Sequence, residues 1–102
     1  MQEHRQRLDK WLCFARFART RPAAVRLVED GHVRVAGRRA GNPAQGLKLG
    51  DVLTLALPHA TVVVRVVAFA ERRGPFATAR LLYERLDDGG DDPSLAADAD
   101  HD

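Results

Sequence analysis

The spacing of the apolar residues first changes at Gly31. Before this glycine, four apolar residues follow the i, i+3, i+4, i+7 spacing that places side chains on one face of a helix: Leu8, Trp11, Leu12 and Ala15. After it, apolar and polar residues alternate over 32–36, which is typical of a strand with one buried face. The chain is therefore predicted to have an α+β fold, in which two helices precede a small, mostly antiparallel sheet and pack on it.

The first helix is predicted over residues 8–17, and capping residues delimit the second. Thr20 is a good N-cap, and Pro22 fits in the first turn, where its missing N–H costs nothing. The helix is expected to run to about Asp30 and to end at Gly31 in the left-handed conformation. Its buried residues are predicted to be Ala24, Leu27 and Val28.

Two longer strands are predicted after the second helix, over 52–57 and 61–69, with a tight turn at 47–51 before the first of them. The final element, 79–86, returns to helical spacing and contains Arg80 and Glu84 at i and i+4. It is predicted to be a C-terminal helix, with a strand as the alternative.

Length and composition indicate one small domain. The 102 residues, 45% of them apolar, can form one core but leave little room for a deep active site. No apolar run approaches the roughly 18 residues of a membrane span, and residues 1–5 lack the apolar segment of a secretion signal. Cys13 is the single cysteine, so it cannot form an internal disulfide. We therefore expect a cytoplasmic protein.

Charge is distributed unevenly along the chain. Residues 1–86 hold all 16 Lys and Arg and seven Asp and Glu, for a formal charge of +9. Residues 87–102 hold seven Asp and no Lys or Arg, for a charge of −7. A basic domain over 1–86, suited to binding a polyanion, is therefore predicted to precede an acidic, disordered tail over 87–102.

The residue patterns that catalysis requires are missing from this sequence. The four histidines (His4, His32, His59 and His101) are scattered without the spacing of metal ligands. Cys13 belongs to an amphipathic helix, where a buried apolar role is expected. We therefore predict that the protein is not an enzyme and has no metal site and no cofactor.

The basic residues are better organised. Arg7 and Lys10 are one turn apart on the first helix, and Arg21 opens the second, where free N–H groups would add a phosphate site. The connections are short, so one cationic surface is predicted to contain Arg7, Lys10, Arg16, Arg19, Arg21, Arg26, His32 and Arg34. Guanidinium groups grip phosphates and stack on unpaired bases. A solvated charged face is the alternative for any one of these arginines.

Several motifs now occur in a recognisable order. Residues 7–12 read R-L-D-K-W-L, Thr20-Arg21 opens the second helix, 31–37 read G-H-V-R-V-A-G, and 49–51 read L-G-D. This string resembles the S-four (S4) RNA-binding domain, whose pattern is R-L-D-x-x-L, S/T-R, G-x-V-x-V-N-G and x-G-D. The resemblance covers 7–57 and implies that 1–86 is an RNA-binding domain with the S4-type fold.

A closer likeness includes later segments. Residues 7–12, 72–75 (R-R-G-P) and 81–84 (L-L-Y-E) resemble the family of ribosome-associated heat-shock proteins of fifteen kilodaltons. That likeness implies binding to ribosomal RNA on the large subunit, particularly on a dissociated subunit that still holds a nascent chain on transfer RNA. The implied role is ribosome rescue or recycling, or a stress response, without catalysis.

The resemblance also implies which residues bind RNA. Carried over position by position, they are Arg7, Lys10, Arg16, Arg19, Thr20, Arg21, Arg26, His32 and Arg34. The sequence departs from the family at Ala36, where Asn is usual before Gly37, and over 87–102, where well-known members have a basic helical extension.

Two other functions remain open at this point. The S4 domain often accompanies pseudouridine synthases and tyrosyl-tRNA synthetase, so this chain could be a targeting module for a separate RNA-modifying enzyme. Alternatively, the acidic tail 87–102 could occupy the basic face until another structured RNA displaces it. In each case a monomer is expected.

Overall fold

The structure, a computed structural model, describes residues 5–86. The predicted tail, 87–102, lies outside the described residues. In chain order the elements are β1 (Arg5–Arg7), α1 (Leu8–Phe14), α2 (Arg21–Glu29), β2 (Val33–Val35), β3 (Arg38–Arg39), β4 (Gly46–Lys48), β5 (Val52–Leu57), β6 (Ala60–Val66), α3 (Phe76–Ala79), a 3-10 turn (Arg80–Leu82) and β7 (Tyr83–Arg85).

The strands form two antiparallel sheets. The larger has the order β3-β2-β5-β6-β7, and the smaller is a ribbon of β1 and β4. Strands β5 and β6 form the longest pairing, from Val52 opposite Arg65 to Leu57 opposite Ala60. Helices α1 and α2 pack on this framework, and α3 follows the two long strands. The predicted α+β class is confirmed.

Helix α2 begins and ends as its capping residues predict. The Thr20 side chain accepts a hydrogen bond from the Ala23 N–H at 3.1 Å, and Pro22 lies in the first turn. Gly31 has a φ of +83°, and a Cβ there would lie 2.9 Å from the Arg39 Nε. The left-handed turn therefore requires glycine, and the flexible end of the Arg39 side chain packs close to it. Leu27 is half-buried rather than buried, unlike Ala24 and Val28.

Helix α1 and strand β6 both end earlier than predicted. The first helix stops at Phe14 instead of residue 17, and Arg16 takes a left-handed φ of +67°. Strand β6 stops at Val66 instead of residue 69, because the Val67 and Ala68 N–H groups turn to the Leu82 carbonyl. The end of α1 is closed by local backbone hydrogen bonds, such as that from the Phe17 N–H to the Leu12 carbonyl, whereas the end of β6 is fixed by a contact distant in sequence.

The last element divides into two structures. Helix α3 and the 3-10 turn cover Phe76–Leu82, but Tyr83–Arg85 form strand β7, so the helix predicted over 79–86 is wrong in its second half. Glu84 does not pair with Arg80. It lies opposite Arg65 across the sheet, and the Arg65 guanidinium donates to its carboxylate at 2.7 Å.

The core joins the helices to the end of the sheet through three aromatic rings. Trp11 is fully buried, and its indole N–H donates to the Ala68 carbonyl at 3.0 Å. Its ring lies 6.1 Å from Phe17 and 6.4 Å from Tyr83, and those two rings are 4.8 Å apart. Cys13 is buried and free, as predicted.

A two-residue turn connects β2 to β3. Ala36 and Gly37 both have positive φ, +53° and +82°, as in the type I′ turns that suit the twist of a hairpin. Glycine tolerates this conformation, whereas alanine is strained by its Cβ. The asparagine usual in the family at this position would fit better, since its side chain stabilises the left-handed region.

We predict that Ala36→Asn raises the free energy of unfolding by about 0.5–1 kcal/mol, because it relieves strain in the folded state. Urea denaturation followed by circular dichroism measures the change. The matched control is Ala44→Asn, at an exposed loop position without a positive φ. An equal gain in both variants would contradict the explanation.

Candidate nucleic-acid interface

A buried carboxylate lies at the start of α1. Asp9 is 0% exposed, and it accepts two hydrogen bonds from the Arg7 guanidinium, at 3.1 and 2.9 Å. The Lys10 N–H donates to the same carboxylate at 2.7 Å. From the first residue of α2, the Arg21 guanidinium reaches it at 3.4 Å. Asp9 therefore brings Arg7 and Arg21 together, although they are far apart in sequence.

Electrostatics at this carboxylate favour its charged form. Burial raises the pKa of Asp9, but the hydrogen bonds from Arg7 and the Lys10 N–H and the positive charge of Arg21 outweigh that effect. The pKa therefore lies below its ordinary value of 3.8. Both guanidinium groups remain partly exposed, at 48% for the Arg7 side chain and 42% for Arg21. Arg7 and Arg21 therefore present positive charge to solvent while the Asp9 carboxylate holds them in place, an arrangement called the Asp9 anchor below.

Beside this pair, Lys10 is half-buried, and its ammonium has no ion-pair partner within residues 5–86. Arg21 Nε is enclosed and has no hydrogen-bond acceptor in the same part of the chain. A phosphate oxygen could reach the Lys10 ammonium, whereas the enclosed Arg21 Nε is closed to a ligand.

The phosphate site predicted from free N–H groups at the start of α2 is largely closed. Pro22 has no N–H, the Ala23 N–H donates to the Thr20 hydroxyl, and the Ala24 N–H donates to the Thr20 carbonyl. The backbone N–H of Arg21 is the one left among the first four. Thr20 thus serves the helix cap, and side chains supply most of the remaining donors.

The Arg16 side chain contacts the loop that contains Gly74 rather than Asp9. Its Nε donates to the Gly74 carbonyl at 2.9 Å, and from the same loop the Arg73 Nε donates to the Cys13 carbonyl at 3.2 Å. These two bonds fasten the 72–75 segment to the end of α1. Arg19 is exposed in the turn between the helices.

Arg26 and His32 share an open groove between α2 and the end of β5. The groove has a volume of about 420 Å³ and is lined by Ala23, Arg26, Leu27, Asp30, His32, Ala56, Leu57 and Pro58. Arg26 and His32 are both exposed at its rim. The groove therefore combines apolar walls with charged and polar side chains.

Arg34 belongs to a third group, in the β2–β3 hairpin. It lies directly opposite Arg39, and Arg38 is opposite Val35. The Arg34 guanidinium donates to the Gly37 carbonyl at 3.4 Å, and Arg39 donates to the Glu29 carbonyl at 3.3 Å. Like charges placed opposite each other repel, so a bound anion would stabilise this arrangement.

Four further basic residues lie next to the predicted ones in the two sheets. Arg38 and Arg39 return beside Arg34 because Ala36-Gly37 is a two-residue turn, a signal that the sequence does contain. Arg5 and Lys48 lie opposite each other in the β1–β4 ribbon, and their pairing depends on long-range register. Arg7, two residues after Arg5 in β1, shares its face of that ribbon.

Within residues 5–86, no group of three or more His, Cys, Asp or Glu could hold a metal ion. Over the same residues, no helix is both long and apolar enough to cross a membrane.

Comparison with known proteins gives one consistent result. The S4 domain family matches residues 6–53. Heat shock protein 15 of Escherichia coli K12 is 42% identical over 78 residues, which are 76% of this chain and 58% of that protein. The small ribosomal subunit protein uS4 of a Synechococcus strain is 35% identical over 85 residues, 83% of this chain and 41% of that protein.

A solved structure extends the likeness to the fold. The trimeric structure of Vibrio cholerae Heat Shock Protein 15 has a TM-score of 0.76 and 34% sequence identity, covering 80% of this chain and 82% of that one. The chain therefore belongs to the Heat shock protein 15 family and contains an S4 domain. It spans 58% of the length of the E. coli relative.

We predict that Asp9→Asn lowers the free energy of unfolding by about 2 kcal/mol at pH 7, because two arginines lose a buried partner. The folded-state pKa of Asp9 is lowered, so the charged carboxylate stabilises the fold above pH 4, and this contribution disappears as pH falls through the folded pKa. Urea titrations between pH 7 and pH 2 measure the difference between variant and wild type.

That difference should shrink toward the acid end. Glu71→Gln, which removes an exposed carboxylate, is the control and should change stability little. A pH-independent difference for Asp9→Asn would contradict the electrostatic account.

Proposed function

We propose that this protein binds ribosomal RNA on the large ribosomal subunit and acts in ribosome rescue or recycling, or in a stress response, without catalysing a reaction. The observation that carries the proposal is the Asp9 anchor, which holds Arg7 and Arg21 together within the segment that matches the S4 domain. Family membership supports association with RNA and ribosomes, which also favours a cytoplasmic location.

The proposed RNA-binding residues are the nine from the sequence: Arg7, Lys10, Arg16, Arg19, Thr20, Arg21, Arg26, His32 and Arg34. Their roles differ. Arg7, Lys10 and Arg21 would bind phosphate directly, since they present charge beside the Asp9 anchor. Thr20 and Arg16 would act through the backbone, by shaping the turn between the helices.

Four further basic side chains extend the proposed surface. Arg5 and Lys48 continue the side of Arg7, and Arg38 and Arg39 continue that of Arg34. The cross-strand pair of Arg34 and Arg39 costs the free protein stability, which a phosphate between them would restore. A subunit with nascent-chain transfer RNA is the proposed target because the family resemblance implies it.

We predict that Arg21→Ala and Lys10→Ala each weaken binding to purified large ribosomal subunits about tenfold and reduce the salt slope by about 1. The matched control is Arg65→Ala, which removes one positive charge from the sheet where Arg65 pairs with Glu84. Its affinity should stay near that of wild type.

The binding assay is run across salt concentrations with a plain RNA duplex as competitor. Binding that survives about 150 mM salt and excess duplex supports a specific ribosomal site. Binding that the duplex abolishes would reduce the proposal to generic RNA association. Co-purification of a catalytic chain at fixed stoichiometry would favour the alternative of a targeting module for an RNA-modifying enzyme.

A monomer is proposed as the binding unit. The V. cholerae relative is described as trimeric, so light scattering of the free protein and of the RNA complex belongs in the same experiment.

The charge of residues 87–102 favours a second, regulatory candidate. Their formal charge of −7 opposes the +9 of residues 1–86, so the segment would compete with RNA for the basic face. We predict that deleting 87–102 tightens RNA binding several-fold at low salt and has little effect at high salt, where screening is strong. Affinity unchanged at low salt would refute this regulation.

A further inference from the structure

The groove between α2 and β5 combines apolar walls with a carboxylate, two features that phosphate binding does not require. Ala23, Arg26, Leu27 and Asp30 lie on one face of α2, at i, i+3, i+4 and i+7, and 56–58 form the opposite wall. His32 joins the two walls, because its N–H donates to the Leu27 carbonyl and its carbonyl accepts from the Ala56 N–H. The groove is thus built on rigid elements.

The carboxylate of the groove, Asp30, lies where it destabilises helix α2. Asp30 caps the C-terminal end of α2, where the helix dipole disfavours negative charge. Arg26, one turn earlier, is well spaced to pair with it, yet neither side chain forms an ion pair or hydrogen bond within residues 5–86. Helix stability does not account for Asp30. Both charged groups remain available to a ligand in the groove.

We infer that this groove binds one unpaired guanine of the RNA, with Asp30 accepting hydrogen bonds from the Watson–Crick edge of the base. The inference rests on the proposed RNA-binding function. A carboxylate would repel phosphates but can accept two parallel bonds from the N1–H and the N2 amino group of guanine. The other three bases do not offer two adjacent donors on that edge.

The remaining lining residues fit the rest of the nucleotide. Leu27 and Leu57 supply apolar surface for the face of the base. Arg26 and His32, at the rim, supply positive charge or hydrogen bonds to the adjoining phosphate. A volume of about 420 Å³ lies within the roughly 300–1,000 Å³ of small-molecule sites. Charge complementarity at the rim favours a nucleotide over an apolar peptide.

The test uses four hairpin RNAs with the same paired stem, measured by fluorescence anisotropy. One is fully paired, and three carry a single bulged guanine, inosine or adenine. Wild-type protein should bind the guanine bulge about tenfold more tightly than the paired hairpin. Inosine lacks the N2 amino group and should lose most of this gain, as should adenine.

Two variants test whether the groove is responsible for the preference for guanine. Asp30→Asn should remove the preference for guanine, and Ala56→Trp should fill the groove and do the same, both without changing affinity for the paired hairpin. Glu29→Gln removes the neighbouring exposed carboxylate and should keep the preference, as should Ala77→Trp on the exposed side of α3. Circular dichroism confirms that each variant is folded.

Failure of the guanine site and failure of the proposed function give different results. Equal wild-type affinity for all four hairpins, or a guanine preference that survives Asp30→Asn, would overturn the guanine site and leave the proposed function intact. A change in molecular mass on Ala56→Trp would show that a second copy of the chain occupies the groove, which would also overturn it. Wild-type protein that binds none of the four hairpins would also overturn the guanine site, whereas failure to bind purified large ribosomal subunits in the salt-titrated assay would instead refute the proposed function.

Discussion

The contact between Asp9 and its two arginines determines how the basic surface is arranged. Its carboxylate is fully buried, so it needs positive partners, and Arg7 and Arg21 provide them from β1 and α2. This contact links the ribbon, the first helix and the second helix, which the buried apolar core also holds together. It also holds two long, flexible side chains in place before any ligand arrives, which reduces the entropy lost on binding.

The basic residues form three groups that differ in local chemistry. At the Asp9 anchor, charge is concentrated and held by a carboxylate. In the β2–β3 hairpin, Arg34 and Arg39 occupy opposite positions of the two strands. Along α2, charge is combined with apolar walls and a free carboxylate at Asp30. A ligand that met all three would need phosphates and an exposed base, which single-stranded or bulged RNA provides.

Local signals predicted helices α1 and α2 and strands β2, β5 and most of β6. Thr20, Pro22 and Gly31 act through neighbouring backbone, so the limits of α2 are visible in the sequence. Strand β7 was only the alternative to a helix, because its pairing with β6 lies about 20 residues away and helical spacing over 79–86 matched local preferences. The role of Asp9 was missed for the same reason: it looks isolated until Arg21 reaches it across the helix pair.

The outer strands of the five-stranded sheet are short. Strand β3 has two residues, both arginine, and β7 has three. An exposed edge strand invites pairing with another chain, and short, charged edges offer few backbone groups for it. The same arginines that we assign to RNA therefore protect one side of the sheet from aggregation. Replacing them to weaken binding would carry a cost in solubility.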